Sequence, residues 1–242
     1  MLQNAECIIL AGGLGTRLRD TIGDLPKCMA PVAGKPFLEY LLHYAIKQGV
    51  SHVVLSLGHK SEIVIDWLQD LDIPLQVDYV IEEEPLGTGG GIRLAMEVCS
   101  MPDVFVLNGD TMFDINLQDM YYWQLREHAE TTIALKPMTH FDRYGVVRTH
   151  PNTDIAGNMI LAFQEKEPRE SGDINGGIYC INREAFLARN LPKKFSFEKG
   201  YLEKNVAEQK FYGYSRDAYF IDIGVPKDYE QAQVDFQTLF PA

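Results

Sequence analysis

Apolar positions in the first half of the chain keep two alternating rhythms. CIIL (Cys7 to Leu10), HVVLSLG (52–58), LQVDYVIE (75–82) and DVFVLNGD (103–110) are short apolar runs of strand length. Between them the spacing turns helical. In PFLEYLLHYAIKQG, Phe37, Leu38, Leu41, Leu42 and Ala45 form one stripe, with Pro36 opening the helix and Gly49 closing it. Further helices are expected around Ile63 to Leu71 and from about Gly91 to Cys99. This alternation predicts βαβ units and an α/β fold with a largely parallel sheet. The second half differs: TTIALKPM, YGVVRT, NMILAFQEK and GGIYCIN have only short connections between some of them, which suggests antiparallel or mixed additions to the sheet. A last strand, DAYFIDIG, precedes a helix from about Pro226 to Leu239.

Two of these strands end in glycine turns, LAGGLG and LNGD, at the carboxyl edge where ligands sit in open α/β sheets. A glycine turn there brings backbone N–H groups close to phosphate oxygens. A dinucleotide fingerprint fails, because Leu18 stands at the third glycine position and the next strand ends in LSLG, and no GxxxxGK[ST] occurs. A long loop is expected between the turn and the helix at about residue 36. It carries Arg17, Arg19 and, in PKCMAPVAGKP, Lys27. Cations beside a nest of N–H groups suit a polyphosphate; a structural turn with solvated cations is the plainer alternative.

Asp110 and Asp222 each follow a buried run. Such aspartates often cap helices or form turns, but a pair at one sheet edge would suit Mg²⁺, which takes one or two carboxylates plus substrate phosphates. EEEPLGTGGGI (82–92) sets three carboxylates before a second glycine cluster. It is either a solvated acidic turn or a base-reading loop in which a carboxylate such as Glu83 accepts from guanine N1 and N2. FQEKEP and INGGIYCI pair a Glu-Lys step with a glycine-rich strand entry, as a sugar-phosphate groove would. The six histidines give no HExxH, and no GxSxG occurs, so zinc and serine hydrolysis drop out.

The 242 residues are enough for one sizeable core, and we expect one domain over 1–242. A net charge of −12 argues against nucleic acid or an anionic membrane as partner, so any cations for an anionic substrate must be local. Four scattered cysteines without a CxxC pair, no leader-like start and no membrane-length apolar run fit a cytoplasmic protein.

As an ordered set, LAGGLGTRL, the PK of PKCM, EEPLGTGGGI, LNGD, RYGVV, FQEKEP, NGGIY and FIDIG resemble the sugar-nucleotide pyrophosphorylases, the sugar-1-phosphate nucleotidyltransferases, over nearly the whole chain. LAGGLGTRLR, MAPVAGKPFLEYLL and PLGTGGGI are most similar to the branch that transfers guanylyl groups to D-glycero-D-manno-heptose 1-phosphate. The resemblance implies a Rossmann-like three-layer α/β/α fold with a mixed, mainly parallel sheet. It further implies that a sugar 1-phosphate attacks a nucleoside triphosphate, GTP in that branch, with Mg²⁺ and release of pyrophosphate. Uridylyl, thymidylyl and mannose-1-phosphate guanylyl transfer stay open beside it, as does a non-catalytic module that binds nucleotide sugars. Carried over by position, Arg17, Lys27 and Asp110 would be catalytic. Leu10, Ala11, Gly12, Gly13, Gly15, Thr16, Glu83, Pro85, Gly87 and Thr88 would hold the nucleotide. Asn108, Tyr144, Gly145, Glu165, Lys166, Asn175, Gly176 and Tyr179 would hold the sugar phosphate, and Asp110 and Asp222 the metal. Many members have proline where this chain has Cys28, a change expected to loosen the loop carrying Lys27. Self-association is a further expectation from the family.

Overall fold

A computed structural model describes residues 4–240 apart from Leu14, Thr16, 151–157, Glu165 and 208–209; the side chains of Arg19 and Asn158 are also outside the description. The expectations for Thr16 and Glu165 therefore lie outside the described residues.

The strands are β1 (Ala5–Leu10), β2 (Pro31–Val32), β3 (Lys35–Pro36), β4 (Val50–Leu57), β5 (Gln76–Ile81), β6 (Asp103–Asn108), β7 (Thr111–Phe113), β8 (Thr131–Phe141), β9 (Val147–Thr149), β10 (Asn158–Phe163), β11 (Arg169–Asn182), β12 (Phe211–Ser215) and β13 (Phe220–Asp222). The helices are α1 (Arg19–Ile22), α2 (Phe37–Lys47), α3 (Ser61–Gln69), α4 (Gly87–Met96), α5 (Leu117–Arg126), α6 (Arg183–Leu187), α7 (Glu203–Asn205) and α8 (Pro226–Leu239), with a π turn over Phe197–Leu202 before α7.

Among the described residues nine strands form one sheet in the order β5-β4-β1-β6-β11-β8-β12-β10-β9. The expected parallel block is β5-β4-β1-β6. β11 runs against both β6 and β8, and β10 against β12 and β9, so seven strands share one direction and two oppose it. Alternate residues of β1 enter different cores. Cys7 and Ile9 pack with α2, α5 and α8 on one face, and Ile8 packs with α4, α6 and the π turn on the other. This burial of both faces explains why CIIL is continuously apolar rather than alternating. Among the described residues no helix is long and apolar enough to cross a membrane.

Three expectations are corrected. The loop between the glycine turn and α2 is not bare: it holds the single turn α1, a 3-10 turn over Lys27–Met29 and the small β2–β3 hairpin. α4 begins at Gly87 rather than Gly91, so the glycine cluster is itself the first part of the helix. DAYFIDIG supplies only the three-residue β13, which stands outside the large sheet and pairs antiparallel with β7. α5 was not foreseen, because LQDMYYWQLR is polar on average and buries only Leu117, Met120 and Gln124; the Asn116 side chain caps it by accepting from the Asp119 N–H at 3.1 Å. The amino-terminal half of β11 and β12 were likewise unforeseen.

Candidate functional site

The adjacent parallel strands β1, β4 and β6 end together around a cavity of about 610 Å³. The β1 ladder continues into the glycine turn: the Ala11 N–H donates to the Ser56 carbonyl at 2.9 Å, and the Gly109 N–H to the Leu10 carbonyl at 3.0 Å. Gly109 must be glycine, since a Cβ there would lie 2.3 Å from the Leu10 carbonyl oxygen. Leu10, Ala11, Gly12 and Gly13, the positions expected to hold the nucleotide, all line the cavity. Gly15 packs against the Lys27 stem instead, and the exposed Arg17 stands beyond the lining.

Lys27 reaches the cavity because the loop folds back. Pro26 enters the 3-10 turn, whose N–H groups at Met29 and Ala30 donate to the carbonyls of Pro26 and Lys27. Its ammonium pairs with Asp110 Oδ2 and lies 3.6 Å from Asp222 Oδ1, with the lysine side chain only 17% exposed. Asp222 arrives through the β7–β13 ribbon, where it stands opposite Thr111. The Thr111 hydroxyl donates to Asp110 at 3.0 Å and the Gly224 N–H to Asp222 at 2.7 Å. Burial raises the Asp222 carboxyl above its ordinary range, and the charge of Asp110 raises it further against the opposing pull of Lys27. Two carboxylates that share the Lys27 ammonium form a donor set that could also hold a divalent cation in company with phosphate oxygens. Among the described residues no group of three or more His, Cys, Asp or Glu converges for a metal. Cys28 does not leave a slack loop: its buried sulfur lies 3.7 Å from the Ala11 carbonyl oxygen, tying the Lys27 turn to the glycine turn. Burial pushes the Cys28 thiol up to about 12, so it adds no negative charge beside Asp110.

Glu83, Pro85, Gly87 and Thr88 line the opposite wall. Gly87 has φ +73°, a left-handed geometry that disfavours any Cβ, and its Cβ would also lie 2.7 Å from the Phe195 carbonyl oxygen. The segment at 195–197 straps this wall down. The Phe195 N–H donates to Leu86, the Gly89 N–H to Phe195, and the Phe197 N–H to the Thr88 hydroxyl at 2.9 Å. The three consecutive α4 glycines are the local signal for this strap: Cβ atoms at 89 and 90 would strike the Phe195 ring and the Lys193 carbonyl. The sequence reading missed Glu82, which also lines the cavity. Its carboxylate accepts from the Leu86 N–H at 2.8 Å and the Ser56 hydroxyl at 3.3 Å. Ser56, Gly58 and His59 complete that wall, and no composition or spacing signal distinguished them.

Of the described positions assigned to the sugar phosphate, only Asn108 lines this cavity. Burial, and then the charge of Asp222, push the Tyr144 phenol up to about 12, and its ring packs edge-on against Phe220 of β13. Gly145 follows it half-buried, and Lys166 is exposed. Gly176 is buried against Phe113. Tyr179 is a core residue, 2% exposed, whose hydroxyl accepts from the Asn175 amide at 2.9 Å; it acts as a support for Asn175.

The nucleotidyl transferase family model matches residues 6–238. D-glycero-alpha-D-manno-heptose 1-phosphate guanylyltransferase from Aneurinibacillus thermoaerophilus is 45% identical over 96% of this chain and 98% of its own. The enzyme of the same name from Campylobacter jejuni is 42% identical over 93% and 96%. The crystal structure of HddC from Yersinia pseudotuberculosis complexed with GMP-PN superposes with a TM-score of 0.84 at 36% identity, covering 96% of this chain and 99% of that one. With the family model spanning residues 6–238 and a 45% identical relative aligned over 96% of its length, the chain belongs to the nucleotidyl transferase family.

Proposed function

We propose that this protein transfers a guanylyl group from GTP to D-glycero-α-D-manno-heptose 1-phosphate, giving GDP-heptose and pyrophosphate. The observation that carries the reading is Lys27 held between Asp110 and Asp222 at the edge of a cavity whose other side is a glycine turn. The choice of base and sugar is supported by the names of the 45% and 42% identical relatives.

A sugar 1-phosphate oxygen is already ionised at neutral pH, so no general base is required. It attacks the α-phosphorus of GTP; the bond from that phosphorus to the β-phosphate oxygen breaks, and pyrophosphate leaves. The protein's task is alignment and charge neutralisation. The N–H groups at Gly12 and Gly13 approach the triphosphate, with Arg17 at the mouth. Lys27 offsets charge at the reacting phosphates. Glu83, with Glu82 behind it, faces the base across Gly87, Pro85 and Thr88. Tyr144, Lys166 and Asn175 serve the sugar phosphate. Asp110 and Asp222 would hold Mg²⁺, which when bound supplies Lewis-acid stabilisation of the phosphate oxygens. All four cysteines are free and buried, which supports a cytoplasmic location.

The test is a matrix of GTP, UTP, dTTP, CTP and ATP against heptose, mannose and glucose 1-phosphates, read as pyrophosphate release. The reading expects GTP with the heptose to be best. Product only from UTP or dTTP with glucose 1-phosphate would refute the guanylyl assignment, and no product from any pair would support a binding module instead.

A further inference from the structure

β11 and β8 run past the end of β6. Residues Ile178–Asn182 of β11 pair with β6, whereas Arg169–Asn175 pair with β8 and, at Ile174, bridge Val146 on the other side, and a bulge lies between Asn175 and Tyr179. The projecting ribbon starts beside the reactive cluster, since Gly177 abuts the Asn108 side chain and the charge of Asp110 acts on Tyr179. Away from that cluster the order along the strand is Tyr179, Asn175, Asp173. Asn175 and Asp173 are two residues apart and face the same side, about 6.6 Å along the strand. The Asp173 carboxylate reaches across β8 to Ser215, whose hydroxyl donates to it at 3.3 Å; Ser215 stands in the same row as Asn175, both opposite Leu135. Burial raises the Asp173 carboxyl above its ordinary range. Nothing in the transfer chemistry uses this half-buried pair.

Resting on the transfer reading above, we infer that Asp173 and Ser215 are specificity-determining residues that bind hydroxyls at the end of the sugar farthest from its phosphate. With the phosphate at Lys27 and the ring near Asn175, a step of about 6.6 Å takes the substrate from its ring to its exocyclic carbons. The heptose carries one more CHOH unit there than mannose. A carboxylate accepts from two neighbouring hydroxyls, and the serine hydroxyl both donates and accepts, so the pair matches a diol.

The experiment compares KM and kcat for heptose 1-phosphate and mannose 1-phosphate, with GTP, in the wild type and in Asp173→Ala, Asp173→Asn and Ser215→Ala. Loss of a charged hydrogen bond to one substrate predicts an increase of about ten- to a hundredfold in KM for the heptose in Asp173→Ala. The mannose constants and both kcat values stay near wild type, and Ser215→Ala shifts the same ratio less. Equal effects on both sugars, or none, overturn the inference. If Asp173→Ala melts early, the near-isosteric Asp173→Asn decides, through the same heptose-to-mannose ratio. Failure of the transfer reading is distinguishable, because it appears in the wild type alone as no pyrophosphate release with either sugar.

Discussion

Replacing Lys27 with methionine keeps most of the side-chain stem, which packs against Gly15, and removes only the charge. The ammonium holds Asp110 directly and Asp222 at 3.6 Å, in a site where lysine and Asp222 are 17% and 31% exposed. At that separation and an effective dielectric near 20, the attraction to one carboxylate is on the order of 4 kcal/mol before desolvation is subtracted. In the reaction the same charge faces phosphate oxygens whose negative charge shifts towards the leaving group. By comparison with a lost oxyanion donor, its removal should raise the barrier by about 2.7 to 4 kcal/mol, a fall in kcat of roughly a hundred- to a thousandfold. Lys27→Met should remain folded, since the 3-10 turn is held by backbone hydrogen bonds and by the buried Cys28 and Met29. The assay is steady-state pyrophosphate release at saturating substrates, with a thermal melt on the same sample. A folded Lys27→Met enzyme that keeps more than about a tenth of wild-type kcat would refute the role given to this lysine.

Asp110→Asn keeps the shape but halves the carboxylate pair, and turnover should fall at least about a hundredfold in the same assay. Gly109→Ala drives a Cβ to 2.3 Å from the Leu10 carbonyl oxygen, so β1 and β6 must separate at the site; a clear loss of Tm together with activity is expected from calorimetry. Burial alone would raise the Glu6 carboxyl, but hydrogen bonds from the Met101 N–H, His52, and the Ser100 N–H and hydroxyl outweigh it and lower it below 4.5. Glu6 therefore contributes stability that is complete above its unfolded pKa and lost as pH falls through the lower folded value. Denaturant titrations below pH 4.5 should show a shallower acid loss in Glu6→Gln than in wild type.

The parallel block was readable because β1, β4 and β6 are largely buried on both faces and so carry the apolar runs CIIL, VVL and VFVL, while α2 carries a clean stripe between Pro36 and Gly49. The glycine turns were readable too, because close backbone approach leaves glycine as its trace, as at Gly109. What stayed hidden depends on pairing at long range. FIDIG reads as a sheet strand, yet its partner is β7, and only that ribbon brings Asp222 to Asp110. The amino-terminal half of β11, RESGDIN, is polar because it projects past β6, and within it only Ile174 is buried. Within EEEP, nothing in the sequence separates Glu82, folded in to accept from Leu86 and Ser56, from the exposed Glu83. Tyr179 reads as a ligand from its motif, but its ring belongs to the core beside Phe197, and its hydroxyl acts through Asn175.

The central claim is attack by the sugar phosphate on the α-phosphorus of GTP, and oxygen labelling tests it most directly. Heptose 1-phosphate carrying ¹⁸O in its three non-bridging phosphate oxygens is turned over with unlabelled GTP, and the products are weighed by mass spectrometry. The account predicts all three labels in GDP-heptose and none in pyrophosphate. Label in the released phosphate species, or a nucleotide product without the labelled phosphate, would contradict it.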